Sequence, residues 1–253
     1  MVENEYMSKF EDKLLAMIMS GLLAVALFAV AGEVRAYKAI RNASSEQTQE
    51  VFLGHPAQDD DVVCVVIDAG HGGSDPGKIG INNALEKDVN LSIALLVKQF
   101  LEANDIKVVL TREDEEGLYD ADASNKKVQD MKRRVTIIEE ATPDVTVSIH
   151  QNSYPEEYVH GAQVFYYTTS TEGKALAEII QNRLIKDVDP ENTRQVKAND
   201  SYYLLKKTGS PIVIVECGFL SNQQEAEKLC TPYYQEKLAW AIHLGILQYL
   251  NGR

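Results

Sequence analysis

Residues 62–253 of this 253-residue chain predict a single α/β domain with helices on both faces of its sheet. Three observations carry that reading. Apolar runs of strand length alternate with longer stretches of helical apolar spacing, the order expected when helices cover a sheet. The first run, Val62–Asp68, is almost continuously β-branched, as in a strand buried on both faces. The last stretch, about Tyr233–Leu250, carries Leu238, Ala241, Ile242, Gly245 and Tyr249 on one stripe, the pattern of a helix laid on a core.

The elements follow in order. After the strand Val62–Asp68, Lys87–Ala103 has helical spacing and contains neither Gly nor Pro. Ile106–Leu110 is the next strand. Lys126–Ala141 is a helix that stops before Pro143. Val145–Ile149 and Gln163–Tyr167 read as strands, and Thr171–Lys186 as a helix. Ile212–Glu216 is a strand entered through Gly209-Ser210-Pro211, and the helix at about Tyr233–Leu250 closes the domain.

Two segments precede it. Leu14–Ala31 is free of charge and long enough for a bilayer, which takes roughly 18 or more apolar residues. It exceeds the usual signal-peptide core of about 7–15 residues, although Ala29-Val30-Ala31 offers a cleavage pattern. Residues 1–36 are therefore expected to be a signal anchor in the cytoplasmic membrane. Lysines and arginines on both sides leave its orientation open. Residues 37–61 read as a polar linker and hold His55. No repeat is visible, and no wall-binding module is expected after Arg253.

A net charge of −13 with no basic patch excludes nucleic acid as a partner. The acidic run from Glu113 to Asp122 reads as a solvated loop. Cys64, Cys217 and Cys230 lack C-x-x-C spacing, which argues against a thiolate metal site, and nothing favours a Cys64–Cys217 bridge.

The chemistry starts in the loop after the first strand, VVIDAGHGGSDPG at residues 65–77. It fits neither glycine-rich phosphate motif: Ile79 follows Gly77-Lys78, and Asp75 stands where a dinucleotide loop needs its third glycine. What remains is a pliant backbone presenting His71 at the carboxyl end of a buried strand, where ligands of open α/β sheets bind. Alone, His71 reads as a loop histidine bonded to a neighbour, and it becomes a candidate ligand or base only with partners elsewhere in the chain. Three more polar residues stand at element ends. Glu86 lies just before or within the first turn of a helix, where the dipole alone favours a carboxylate. His150 ends the strand of VTVSIHQNS. Glu216 ends the strand of VIVECGFLSN, a costly place for a carboxylate without a partner or metal. Strand alternation turns Cys217 to the opposite face. Two histidines and one glutamate with an open position are the ligands of many catalytic zinc sites, and the other glutamate would be a general base.

These residues sit in motifs that resemble the zinc-dependent N-acetylmuramoyl-L-alanine amidases of the type-3 family. The resemblance rests on IDAGHGGSDPG, LEKDVNLSIA, VVLTRE, VSIHQNS, GAQVFYY and VIVECGFLSN, and covers about Val62 to Gly252. The stretch ANDSYYLLKKTGSPIVIVECGFLSN is most similar to the spore-cortex branch of endospore formers, which prepares muramic acid for δ-lactam formation. The resemblance implies a mostly parallel sheet between helices, Zn2+ held by His71, Glu86 and His150, and Glu216 as catalytic acid/base. It implies a peptidoglycan substrate, cut at the amide between N-acetylmuramic acid and L-alanine, and hence an extracytoplasmic, membrane-anchored enzyme of the cell wall or forespore cortex. It leaves any regulatory protein partner unidentified. The rival readings are a non-catalytic peptidoglycan-binding module and a zinc peptidase of wall peptides.

The match has one departure. The family often pairs an arginine in the helix before the second histidine with an asparagine five residues on; Arg134 fits, but Glu139 holds the asparagine position. The 66 residues from His150 to Glu216 (216 − 150) are too few for the long autoinhibitory insertion of some members, so an open groove is expected. Asn152 reads as an orienting group or a turn cap, Asp68 and Asp75 as supports for the His71 ring or turn residues, and Arg112 as a surface arginine. His160 is expected in a loop bordering the groove, and His243 within partly buried scaffold.

Overall fold

The computed structural model describes residues 62–252. The predicted anchor and linker lie outside the described residues, as does His55. Among those described, no helix is long and apolar enough to cross a membrane.

Six strands form one mixed sheet: β1 (Cys64–Ala69), β2 (Lys107–Leu110), β3 (Val145–Asn152), β4 (Gln163–Tyr167), β5 (Lys197–Asn199) and β6 (Ile212–Phe219), in the order β2-β1-β3-β6-β4-β5. The pairs β1/β2, β1/β3, β3/β6 and β4/β5 are parallel, and β4 runs antiparallel to β6. The carboxyl ends of β1, β3 and β6 thus lie together along one edge, and these strands carry the predicted site residues.

Among the described residues six α-helices accompany the sheet: α1 (Glu86–Glu102), α2 (Lys126–Ala141), α3 (Thr171–Arg183), α4 (Tyr203–Lys207), α5 (Gln223–Leu229) and α6 (Pro232–Asn251). A π-helical turn, Leu184–Val188, continues α3. Side-chain caps fix four helix starts: Asn125, Ser170, Asn222 and Thr231 accept from Val128, Gly173, Glu225 and Tyr234 amides.

The larger core joins α1, α3 and α6 to one sheet face through Ile67, Ile93, Val147, Ile149, Ile180, Val215 and Ile242, all fully buried. Each such side chain is worth roughly 1.5–3 kcal/mol on burial. A smaller cluster on the other face holds Val66, Ile138, Phe165, Leu204, Leu205, Ile212 and Ile214 beneath α2 and α4. Because strand side chains alternate, Cys217 enters the large core while Ile214 and Glu216 line a cleft with Leu204.

Every predicted element is present with shifts at its ends, and β5, α4 and α5 are additional to those predicted. Strand β3 continues through His150 to Asn152 and β6 through Glu216 to Phe219, with a register shift between His150 and Asn152. Helix α1 begins on Glu86 itself. Its amide donates to the Lys78 carbonyl at 2.9 Å, so the loop rather than a side chain caps the helix.

Candidate metal centre

Loop, helix and strand bring His71, Glu86 and His150 together at the carboxyl edge of the sheet. Their ligating atoms all lie within 4.8 Å of one another. Glu86 Oε1 is 3.2 Å from His71 Nε2 and 2.9 Å from His150 Nδ1. Its other oxygen accepts from the Lys78 amide at 2.7 Å, which fixes the carboxylate plane. Burial alone would raise the Glu86 pKa, but the His150 and His71 hydrogen bonds outweigh it and hold the group well below the usual carboxylate range.

Each imidazole is oriented from behind. His71 Nδ1 stands 3.1 Å from Asp75 Oδ2, leaving Nε2 for the centre. Asp75 is itself held at Oδ1 by the Gly77 amide, 3.1 Å away, so it acts as a support for His71 as well as a turn residue. The remaining edge of the His150 ring lies against Gly70: a Cβ there would come within 2.3 Å of Cε1 and Nε2. Gly77 has φ +68, and a Cβ would stand 2.6 Å from Glu86 Oε2 and 2.7 Å from His71 Cδ2. These two glycines leave the room that the two imidazoles and the carboxylate occupy.

His71 itself adopts φ 64, a left-handed conformation that costs a non-glycine residue on the order of 1–3 kcal/mol. Two buried arginines hold the loop in that shape. Arg134 donates through Nη2 to the His71 carbonyl and through Nη1 to the Ala69 carbonyl at 2.7 Å. Nη1 also meets Asp68 Oδ1 at 2.6 Å, and Nε meets Asp130 Oδ2 at 2.6 Å. Thr111 and Ser148 complete the shell of Asp68. Burial opposes ionisation of Asp68, but Arg134 and the two hydroxyls win and lower it to about 2.

Arg112 departs from its expected surface position. It is only 4% exposed and donates to the carbonyls of Ala69, Gly70, Lys87 and Asp114. A planar fork with five donors suits this convergence of backbone acceptors better than solvent does. The acidic run after it is likewise partly structural, since the Gly73 amide donates to the Glu115 carbonyl.

Glu216 is the register partner of His150, so both side chains leave the sheet on one face. It is 7% exposed, and its Oε2 has no hydrogen-bond partner among the described residues. Burial pushes its pKa up to about 7; the two imidazoles oppose the rise and Glu86 adds to it. A dication bound nearby would favour the carboxylate. The Tyr202 hydroxyl lies beside Glu216, and burial with that negative neighbour raises the tyrosine to about 12. Tyr202 lies within the stretch ANDSYYLLKKTGSPIVIVECGFLSN that carries the spore-cortex resemblance, but no role was expected of it. His71, His150, Glu216 and Tyr202 border a cleft of about 430 Å3, walled further by Tyr119, Met131 and Tyr203, and Glu86 stands outside this lining.

The donor set fits a zinc ion: two nitrogens and one carboxylate oxygen converge, and the cleft leaves a further position open. The other predicted positions divide. Asn152 Oδ1 accepts from the Ser153 amide at 2.8 Å, so it caps the turn. Glu139, in the asparagine position, accepts from the Gly209 amide at 2.8 Å and so ties α2 to the entry of β6. His160 is exposed in its loop. His243 is 2% exposed, more deeply buried than expected, with Nε2 3.1 Å from Asn104 Nδ2. The cysteines are free thiols.

Comparison with known proteins agrees with this geometry. The model of the family described as "N-acetylmuramoyl-L-alanine amidase" matches residues 65–248. The chain belongs to this amidase family. It is 37% identical over 192 residues to the germination-specific N-acetylmuramoyl-L-alanine amidase of Bacillus subtilis, covering 75% of this chain and 80% of the relative. It is 36% identical to the B. subtilis amidase LytC, of which it spans only 35%. Among solved structures, the CwlD amidase from Clostridioides difficile, in complex with the GerS lipoprotein, superposes with TM-score 0.74 at 40% identity; 76% of this chain and 100% of that one are covered. The catalytic domain of CwlV from Bacillus (Paenibacillus) polymyxa gives TM-score 0.65 at 32% identity, with 76% and 100% covered.

Proposed function

We propose that the chain is a zinc-dependent hydrolase of peptidoglycan that cleaves the amide between N-acetylmuramic acid and the L-alanine of the stem peptide, and that it works in the spore cortex. The observation that carries this reading is the convergence of His71, Glu86 and His150 beside a buried glutamate at the floor of one cleft. Membership of the family supports the reaction. The germination-specific and CwlD relatives support the cortex as its setting.

In this reading His71 Nε2, His150 Nδ1 and Glu86 hold the ion, and Asp75 keeps the His71 tautomer that leaves Nε2 free. A zinc ion held by these three residues would supply a Lewis acid for the scissile carbonyl and a more acidic water at neutral pH. Glu216 takes a proton from the attacking water at its unpartnered oxygen and later delivers it to the departing amine of L-alanine. Tyr202 flanks the Glu216 carboxyl group. Arg134 and Arg112 keep the strained His71 loop in place through its carbonyls, so the ligand is set before the ion arrives.

An anchor formed by residues 1–36 and a polar linker over 37–61 would hold the domain at the outer side of the cytoplasmic membrane, where peptidoglycan lies. The lipoprotein bound to the C. difficile relative supports a regulatory protein partner here as well. Mass spectrometry of defined muramyl peptides after incubation with the zinc-loaded protein tests the reaction. Release of free stem peptide with L-alanine at its amino end is expected. Cuts between amino acids would make it a peptidase, and tight binding without products would make it a binding module.

A further inference from the structure

Beyond Tyr202 lies a second groove, of about 520 Å3, that the proposed proton transfers do not use. Tyr202 lines both spaces, so the groove adjoins the cleft of the candidate centre. Phe165 of β4 and Phe219 of β6 are aromatic surfaces along it, and Arg194 and Lys197 lie over them. The Arg194 guanidinium carbon is 4.5 Å from the Phe219 ring centre, and the Lys197 ammonium 5.8 Å from that of Phe165.

Arg194 is held by neutral groups. Its Nε donates to the His160 carbonyl at 2.6 Å, Nη1 lies 3.4 Å from Gln163 Oε1, and its amide donates to Asn192 Oδ1 at 3.0 Å. Among the described residues, neither Arg194 nor Lys197 forms an ion pair with a carboxylate. Two cations facing one groove without an acidic partner offer an anionic ligand a site in a chain whose net charge is −13. A cation set against an aromatic ring has already lost part of its hydration, so a carboxylate meeting it gains a charge-assisted hydrogen bond at little further cost.

Strand register gives the scale. Gln163 is the partner of Glu216 across β4 and β6, and Lys197 is the partner of Phe165 across β4 and β5. With neighbouring strands about 4.8 Å apart, Lys197 lies two strands, or about 10 Å, across the sheet from Glu216 and two residues, or about 7 Å, along it, while Phe219 stands on the strand of Glu216 itself. Two extended peptide residues span roughly 7 Å, and a lysine side chain covers the difference.

We propose that this groove binds the acidic stem peptide on the L-alanine side of the cleaved bond, with Arg194 and Lys197 reading the free α-carboxylate of the γ-linked D-glutamate that follows. The inference rests on the amidase reading, and it makes the state of that carboxyl group a specificity determinant: a free carboxylate is preferred, and an amidated one is not.

Equilibrium binding to zinc-loaded Glu216→Gln protein, in which turnover is slowed, tests it with two muramyl tripeptides that differ only in whether this carboxylate is free or amidated. The free acid should bind roughly tenfold more tightly, and rising salt should erode the difference. Lys197 is exposed, so Lys197→Gln should fold normally. It should cut the preference below about threefold and leave binding of the amide unchanged, while Lys197→Arg should retain the preference. Arg194→Gln should act in the same way if it folds. Equal binding of the two ligands by the unsubstituted groove, or an intact preference in folded Lys197→Gln, overturns the proposal. Cleavage of the same ligands by protein with Glu216 intact separates the two readings. A binding preference without cleavage supports the groove and sinks the reaction; cleavage with no preference sinks the groove alone.

Discussion

His150 and Glu216 are register partners on adjacent parallel strands, β3 and β6, yet their polar atoms are engaged differently. His150 Nδ1 meets Glu86 Oε1 at 2.9 Å, whereas Glu216 Oε2 has no partner among the described residues. A strand pairing thus sets a proposed ligand and a proposed proton carrier side by side without letting the second neutralise the first.

Glu216→Gln separates the two roles. The amide keeps the shape of the side chain but cannot accept and return a proton. Zinc content should stay at that of the parent, while amide cleavage falls by roughly a hundredfold to ten-thousandfold. Both quantities are to be measured on one folded sample. Cleavage within about threefold of the parent would remove Glu216 from the proton transfers, and loss of zinc along with activity would make it a ligand.

The metal reading predicts the reverse pattern for the histidines. His71→Ala and His150→Ala each delete one of three protein donors, so most bound zinc should be lost from folded protein, as shown by elemental analysis. A chelator should abolish cleavage by the parent, and added zinc should restore it. Full zinc occupancy in both variants would mean that other residues hold the ion.

Much of this arrangement was legible in the sequence because its signals are local. His150 and Glu216 end apolar strands, His71 follows one among glycines, and Glu86 opens a helix, so the carboxyl edge of the sheet collects them. What was not legible depends on contacts distant in sequence. The fork of Arg112 closes on carbonyls of Ala69, Gly70 and Lys87, 25 to 43 positions away, and nothing near Arg112 marks it as buried. Strand β5, with three residues, and helix α4, with five, are too short to show a period. Their placement is what brings Tyr202 to Glu216 and Lys197 to Phe165.

The Arg134–Asp68 pair carries a stability prediction. Both side chains are at most 1% exposed, and removing one leaves the other charge buried without compensation. Arg134→Met should destabilise the metal-free domain by about 3–5 kcal/mol, read from denaturant unfolding. Pairing it with Asp68→Asn should cost less than the sum of the two single changes. The acid dependence follows from the sign of the shift. Asp68 is lowered to about 2, so its contribution is complete above the unfolded carboxylate value of about 3.9 and is lost as pH falls towards 2. The parent should therefore lose stability between about pH 4 and pH 2, and Arg134→Met should lose less over that interval. Equal acid slopes in the two proteins would show that the pair does not set this dependence.

The tightest constraint on the centre is a missing side chain. A Cβ on Gly70 would lie 2.3 Å from two atoms of the His150 ring and 2.8 Å from a third, and the ring can yield only by giving up its place beside Glu86. Its Nδ1 is committed to Glu86, and its strand is paired on both sides by β1 and β6. Gly70 cannot retreat easily either, because its amide donates to the Ile149 carbonyl at 3.1 Å while its own carbonyl accepts from Asn90 and Arg112. Gly70→Ala should therefore displace the imidazole rather than the backbone. The domain should remain folded, with stability reduced by about 1–3 kcal/mol from overpacking. Zinc affinity should fall by at least about tenfold, because one of three donors is turned away. Gly209→Ala is the control: its nearest neighbours are Glu139 oxygens at 3.8 and 3.9 Å, and it should leave zinc affinity unchanged. Competition with a zinc-binding dye measures both variants. Equal affinity in Gly70→Ala and the parent would show that the His150 ring can move, and that the glycine beside it does not set the position of the ligand.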